Sequence, residues 1–205
     1  MTERPTTIYL IRHGEVHNPQ RILYGRLPRF RLSETGRQQA RMAGRYLDGR
    51  VDALFSSPLL RARQTAREIQ QQVQKSRVRI STLINEVCTV FEGRPGAEVD
   101  ARNGDVYTGA PACFEQPQDI VDRTRRFIRR AHRQYPGGRI AAVTHGDVIT
   151  FMVLWANGMD PSAKNKTRLL KAGFPASYPA HASITALTYP NDDMDARPQV
   201  AYVHP

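Results

Sequence analysis

Short apolar runs alternate with longer amphipathic segments along this chain. The runs are rich in β-branched and aromatic residues and predict six strands, at 6–11, 51–57, 78–82, 139–144, 183–189 and 199–203. Segments whose apolar residues recur every three to four positions predict four helices, at 33–47, 57–73, 119–135 and 147–158. Strands that alternate with helices indicate an α/β fold with a mostly parallel sheet and right-handed crossovers.

Other features of the pattern concern boundaries and loops. Ser33 and Ser57 are predicted N-caps of the first two helices. The stretch 85–118 is punctuated by Gly and Pro and predicts a functional loop with one helical turn, and 159–182 predicts an irregular basic insertion. With no internal repeat and no linker, residues 1–205 are expected to form a single domain.

Composition narrows the class of protein. A hydrophobic content of 40% and a charged content of 24% are typical of a folded chain. No apolar run approaches the roughly 20 residues that span a membrane, and Arg12 interrupts the N-terminal run too early for a secretory signal. Only Cys88 and Cys113 are present, which predicts reduced thiols and no disulfide framework or cysteine metal site. We therefore expect a cytoplasmic protein with no membrane association.

The formal charge of +11 raises the question of nucleic-acid binding. Of the 30 basic residues four are lysines and the other 26 are arginines, spread along the chain. No helix-turn-helix, RNA-binding or zinc-finger pattern accompanies them. The charge favours a solvated, arginine-rich surface with a bias toward small anionic molecules over a nucleic-acid interface.

Two predicted strands end in a histidine followed by glycine. The first strand leads into Arg12, His13 and Gly14, and the fourth leads into His145 and Gly146. In open α/β sheets ligands bind beyond the carboxyl ends of strands, so both histidines are expected at one crevice. A glycine after each histidine permits close backbone approach.

A third strand end places Arg61 about one turn inside a helix. A helix N-terminus favours anions, and a guanidinium there can bind phosphate with two hydrogen bonds. Read alone, Arg61 would be a solvated helix residue like Arg63 or Arg67. Together with the two His-Gly pairs it predicts a phosphate pocket.

These segments resemble the histidine phosphatase superfamily, in its phosphoglycerate mutase-like branch. The matching stretches run in order over nearly the whole chain: RHGE at 12–15, Asn18, YGRLPRFRLSETGRQQA at 24–40, SSPLLRARQTA at 56–66, Glu86 with Glu92-Gly93, VTHGDVI at 143–149 and SITAL at 183–187. The resemblance implies a three-layer α/β/α sandwich with a mostly parallel central sheet, phosphoglycerate mutase-like.

The resemblance also implies roles. His13 would be the nucleophile that takes up the phosphoryl group, and Glu86 would be the proton donor. Arg12, Arg61 and His145 would bind the transferring group, with no metal and no cofactor. The expected substrate-binding residues are Asn18, Tyr24, Gly25 and Gly146, with Arg26 as an addition to the loop of Tyr24 and Gly25.

Two departures from the family pattern affect this assignment. Asn18 lies one residue closer to His13 than in the commonest motif, and Glu86 lies one residue closer to the Glu-Gly pair at 92–93. The second departure leaves Glu92 and Glu98 as alternative acids, although Glu92 is better suited to bracing its loop.

The function predicted is metal-independent hydrolysis of small phosphate monoesters, with a small phosphorylated metabolite as the partner. A phosphoglycerate mutase-type phosphotransferase is the first alternative, disfavoured because the middle region is short. A catalytically silent protein that binds phospho-ligands or nucleic acid is the alternative of another class. The basic residues Lys164, Lys166, Arg168 and Lys171 would either cover the pocket mouth and select an acidic leaving group or form an exposed loop. An exposed edge strand leaves a homodimer open.

Overall fold

The computed structural model describes residues 4–73, 77–191 and 193–205. Its strands are β1 (Thr6–Arg12), β2 (Ala53–Ser56), β3 (Val78–Ile80), β4 (Arg139–Thr144), β5 (Ile184–Tyr189) and β6 (Gln199–Val203). Its α-helices are α1 (Glu34–Leu47), α2 (Leu60–Val73), α3 (Gly96–Asp100), α4 (Pro117–Gln134) and α5 (Gly146–Ala156). Short 3-10 turns lie at Thr82–Ile84, Ala163–Asn165 and Leu169–Ala172.

All six strands join one sheet in the order β3-β2-β4-β1-β5-β6. The pairs β2–β3, β2–β4 and β1–β4 are parallel, whereas β1–β5 and β5–β6 are antiparallel. Every residue of β4 after Arg139 is buried, as expected of a strand covered on both faces of a parallel sheet. The predicted α/β fold with a mostly parallel sheet is confirmed.

Helices cover the two faces of the sheet in pairs. One face packs Ile11, Ala141 and Val143 against the apolar sides of α1 and α2. The other packs Ile8 and Leu10, with their neighbours on β4, against α4 and α5. The alternation of adjacent strand residues between the two cores produces the predicted three-layer sandwich.

Several predicted boundaries need correction. Strands β2 and β3 are shorter than predicted, and the helical turn expected within 85–118 is α3. Ser33 caps α1 as predicted, but α2 begins only at Leu60. Ser57 makes only a long contact of 3.4 Å with the Leu59 N–H, because its hydroxyl is bound elsewhere. That the whole chain forms one domain stays a prediction.

Three adjacent strands bring the predicted site residues together. Because β4 lies between β2 and β1, the residues that follow them meet at one edge of the sheet. Arg12 pairs with Thr144, the His13 N–H donates to the Thr144 carbonyl at 3.0 Å, and the Ser57 N–H donates to the Val143 carbonyl at 2.9 Å. In the described part of the chain, no helix combines the length and apolar character needed to cross a bilayer.

The cap of α1 can be tested by Ser33→Ala. The Ser33 hydroxyl accepts from the Gly36 N–H at 3.0 Å and donates to Glu15 at 2.6 Å. We expect the free energy of unfolding, measured in urea, to fall by about 1 kcal/mol. Ser162→Ala is the matched control, since Ser162 precedes a short helix without a side-chain cap bond. Equal losses in the two variants would contradict the assignment.

Candidate active site

His13 is buried at the end of β1, and a hydrogen bond determines which nitrogen is free. Its Nδ1 lies 2.8 Å from the carbonyl oxygen of Gly14. Because a carbonyl can only accept, Nδ1 carries the proton, and Nε2 of the neutral ring keeps a lone pair. Burial, followed by the positive charges of Arg61 and Arg12, holds the pKa of His13 well below its usual value. The lowered pKa favours the neutral ring, in which the Nε2 lone pair is free.

Two guanidinium groups accompany His13. Arg61 is 1% exposed and donates through Nη2 to the Gly25 carbonyl at 2.9 Å. Arg12 donates through Nη1 to the Pro179 carbonyl at 2.7 Å. In both residues the Nε–H is buried without a hydrogen-bond partner. Buried donors without a partner are rare in folded proteins, and here they are suited to the oxygens of an anion.

His145 is held by a chain of hydrogen bonds that begins at Asn85. The Ser57 hydroxyl donates to Asn85 Oδ1 at 3.1 Å, so its oxygen is free to accept from His145 Nε2, 2.8 Å away. His145 Nδ1 then accepts from Arg61 Nη2 at 3.2 Å. Burial, followed by the charge of Arg61, keeps the pKa of His145 well below its usual value. Ser57 lies in one of the matching sequence stretches, but it was predicted to cap a helix, so its hydrogen bond to His145 was not predicted.

Glu86 lies beside both His145 and Arg61. Its Oε2 is 3.4 Å from His145 Nδ1 and 3.5 Å from Arg61 Nη2, and Oε1 accepts from the Val87 N–H at 2.9 Å. Burial raises the pKa of Glu86 despite the opposing charge of Arg61. A carboxyl with a raised pKa can hold a proton near neutral pH.

The backbone of Glu86 is braced by a second set of charges. Arg26 Nε donates to the Glu86 carbonyl at 2.8 Å, and Arg26 Nη2 pairs with Glu115 at 2.6 Å. Arg123 pairs with the same carboxylate at 2.9 Å and donates to the Leu83 carbonyl. Arg26, expected to add to substrate contacts, thus positions the segment that carries Glu86.

The site opens into a cavity of about 430 Å³. Arg12, His13 and Glu86 lie in its wall together with the predicted substrate contacts Tyr24, Gly25 and Gly146. The Tyr24 ring lies 4.6 Å from the Arg61 guanidinium carbon and covers that charge. The remaining wall residues are Leu23, Val87, Thr89, Val99, Asp100, Asn103, Gly104, Val106, Asp147, Lys166, Thr167, Ser177 and Tyr178.

Six predicted residues are not in the cavity wall: Arg26, Arg61 and His145, described above, and Asn18, Glu92 and Glu98. The Asn18 amide donates to the Ile22 carbonyl at 2.8 Å and accepts from the Ile22 N–H at 3.3 Å, which closes its own loop. Asn18 thus bonds within its own loop, in keeping with its displaced motif position, and its expected contact with substrate stays a prediction. Glu92 accepts from the Arg26 N–H and braces the loop, and Glu98 is exposed and paired with Arg94. Glu86 is therefore the only one of the three candidate acids in the cavity wall.

The basic insertion 159–182 forms part of the cavity wall. Lys166, Thr167, Ser177 and Tyr178 line the cavity. Lys166 is 8% exposed and pairs with Asp147 at 2.9 Å, whereas Lys164 and Lys171 are exposed. The insertion thus contributes four residues to the cavity wall, and the lysine among them is already paired with Asp147.

The same insertion also contacts His13 and Arg12. Besides Pro179, it supplies the Tyr178 ring, 5.0 Å from the Arg12 guanidinium carbon, and His181, whose ring lies 5.9 Å from that of His13. Burial, followed by the charge of Arg12, lowers the pKa of His181 to about 4. These residues follow no recognisable motif, so the sequence offered no signal for them.

Three side chains of the site have the spacing of metal ligands. Ligand atoms of His13, Glu86 and His145 lie within 4.8 Å of one another. The resemblance implies no metal, and the sequence alone did not indicate this cluster. These residues fit a divalent cation by donor type, but Arg61 donates to His145 Nδ1 and approaches Glu86, which opposes a second positive charge there.

Histidine and arginine side chains here surround a cavity at the carboxyl ends of parallel strands, the place where open α/β sheets bind their ligands. The comparisons with known proteins make the assignment specific. The model of the histidine phosphatase superfamily (branch 1) matches residues 8–193, and the chain belongs to that family.

Individual relatives agree with the family assignment. An uncharacterized protein of Mycobacterium tuberculosis is 32% identical over 199 residues, covering 91% of this chain and 92% of its own. The uncharacterized phosphatase PhoE of Bacillus subtilis is 30% identical over 170 residues, covering 82% and 85%. A mycobacterial glucosyl-3-phosphoglycerate phosphatase superposes with a TM-score of 0.75 over 97% of each chain, at 22% identity, which shows a common fold.

The lowered histidine pKa values predict how stability depends on pH. Below pH 6.5 the unfolded chain takes up protons that folded His13 and His145 do not, so the free energy of unfolding falls as the pH falls. Each histidine contributes up to about 1.4 kcal/mol per pH unit until its folded pKa is reached. Urea unfolding of a His13→Gln/His145→Gln variant should therefore show a shallower decline between pH 7 and 5. Exposed His17→Gln is the control, and parallel declines in all three proteins would refute the argument.

Proposed function

We propose that this chain hydrolyses small phosphate monoesters without a metal, through a phosphohistidine on His13. The observation that carries the proposal is the His13 ring, whose Nδ1 bond to Gly14 leaves Nε2 unprotonated beside two arginines with buried, unpartnered Nε–H groups. A phosphoryl group between them would meet a nucleophile and charge-assisted donors together.

In the first step the Nε2 lone pair of His13 attacks phosphorus and forms the P–N bond. The ester P–O bond breaks, and its electron pair goes to the leaving oxygen. Glu86, protonated because of its raised pKa, gives that oxygen a proton, so the product leaves as an alcohol. Arg12 and Arg61 stabilise the charge on the equatorial oxygens.

In the second step water attacks the phosphohistidine. The ionised Glu86 takes a proton from the water, the new P–O bond forms, and the P–N pair returns to His13. Inorganic phosphate leaves, and Glu86 is again protonated. The Val87 N–H, which donates to Glu86 Oε1, and the nearby Arg61 guanidinium keep Glu86 at its position in both steps.

Replacing the nucleophile tests the proposal. With p-nitrophenyl phosphate and EDTA present, His13→Ala should lose activity by at least about 10³-fold, because no other group forms the intermediate. His17→Ala, an exposed histidine of the same loop, should keep the activity. Equal activities of His13→Ala and the parent, or a parent that needs added metal, would contradict the proposal.

Replacing the acid gives a leaving-group effect. Glu86→Gln should slow hydrolysis of an alkyl phosphate by about 10²-fold or more, because an alkoxide needs a proton to leave. Hydrolysis of p-nitrophenyl phosphate, whose leaving group is a stable anion, should slow much less in its first step. Glu98→Gln is the control, since Glu98 lies on the surface and pairs with Arg94. If Glu86→Gln slows formation of the phosphoenzyme equally with both substrates, Glu86 is not the acid.

The mutase alternative makes a different prediction for phosphoglycerate. A mutase returns the phosphoryl group to a second oxygen, whereas a phosphatase releases inorganic phosphate. If phosphoglycerate is isomerised faster than it releases inorganic phosphate, the function of this site is phosphotransfer and not hydrolysis.

A further inference from the structure

Four segments meet at Asp147, which the proposed mechanism does not use. Asp147 lies in the first turn of α5 and is buried. Its Oδ1 accepts from the Tyr178 hydroxyl at 2.7 Å, and its Oδ2 accepts from Lys166 Nζ at 2.9 Å and from the Tyr107 hydroxyl. One carboxylate thus joins α5, the middle loop and the two ends of the basic insertion.

Lys166 makes two hydrogen bonds at this junction. Its ammonium donates to the Gly104 carbonyl at 2.7 Å as well as to Asp147. The rings of Tyr107 and Tyr178 lie 5.6 Å and 5.7 Å from Nζ. A lysine in the cavity wall is therefore neutralised by a carboxylate in the same wall.

Gly146 provides the space for this arrangement. A Cβ at position 146 would overlap the Tyr178 hydroxyl, so glycine is needed for Tyr178 to reach Asp147. Glycine is therefore required after His145 for the packing of Tyr178, in addition to any close approach of the backbone to phosphate.

Apart from Arg12, His13 and Lys166, the cavity wall is neutral or acidic. Its side chains are apolar at Leu23, Val87, Val99 and Val106 and uncharged at Thr89 and Asn103. Asp100 is exposed there and has no ion-pair partner within the described ranges. Apart from the phosphate-binding Arg12 and the paired Lys166, no described lysine or arginine lines this cavity.

We propose that Asp147 determines substrate selectivity: by holding Lys166, it makes the cavity accept phosphate esters of uncharged alcohols and disfavour esters whose alcohol carries a carboxylate. This inference rests on the proposed phosphatase function. A carboxylate entering the cavity would lose water, meet no unpaired cation and approach Asp100. Without the charge of Asp147, Lys166 would be available to it.

A matched pair of substrates tests this selectivity. Glycerol 3-phosphate and 3-phosphoglycerate differ by a hydroxymethyl group in place of a carboxylate. The parent enzyme should show the higher kcat/KM for glycerol 3-phosphate. Asp147→Asn should shift the ratio toward 3-phosphoglycerate by about tenfold, mainly through a lower KM for that substrate. A merely structural role would instead lower kcat/KM for both substrates alike.

Two further variants control for charge and folding. Asp147→Asn/Lys166→Met removes both charges and should return the ratio toward the parent value. Lys164→Met removes an exposed lysine of the same insertion and should leave the ratio unchanged. If Asp147→Asn fails to fold, as judged by circular dichroism and thermal unfolding, the double variant and the parent enzyme still test the neutral cavity.

The proposal is overturned if the parent prefers 3-phosphoglycerate, or if Asp147→Asn changes both substrates equally. Loss of the proposed function has a different signature, in which the parent hydrolyses neither ester nor p-nitrophenyl phosphate. Selectivity is then read from binding of the two esters to His13→Ala by titration calorimetry. Tighter binding of glycerol 3-phosphate supports the inference, and equal or reversed affinities overturn it.

Discussion

The burial of the Arg61 charge is the constraint on which the site depends. A guanidinium that is 1% exposed has lost nearly all its water and needs compensating partners. The Gly25 carbonyl, His145 Nδ1, Glu86 and the face of Tyr24 supply them from three segments of the chain. These contacts fix the helix α2, the loop of Tyr24 and the proposed acid relative to one another, and the burial that they share shifts the pKa values of His13, His145 and Glu86.

A second buried charge pair, Lys166 with Asp147, shapes the other side of the cavity. The Arg61–Glu86 and Lys166–Asp147 pairs differ in the hydrogen-bond donors that they leave without a partner. Arg61 and Arg12 each keep an unpartnered donor, so that the inner cavity favours the dianionic phosphoryl group. Lys166 is compensated within the wall, so that the rest of the cavity offers mainly apolar and uncharged polar surface. Unpaired positive charge is thus concentrated beside His13.

The sequence predicted the layered fold and the central residues because both depend on local signals. Apolar periodicity marked the strands and helices, and the His-Gly pairs at strand ends indicated which side chains converge. Contacts between distant segments carried no such signal: the Ser57–His145 bond, the brace of Arg26 and Arg123 on Glu86, and the packing of Tyr178 on Gly146. Asn18 shows the converse, since a motif residue displaced by one position bonds within its own loop.

The central claim is that His13 carries the phosphoryl group, and rapid-quench mass spectrometry during turnover tests it most directly. Peptides recovered under alkaline conditions, where phosphohistidine survives, are expected to show one acid-labile phosphoryl group on His13. The signal should appear before the steady state and decay when substrate is exhausted. Phosphate on any other residue, or steady turnover with no phosphoenzyme under conditions that preserve it, would contradict the account.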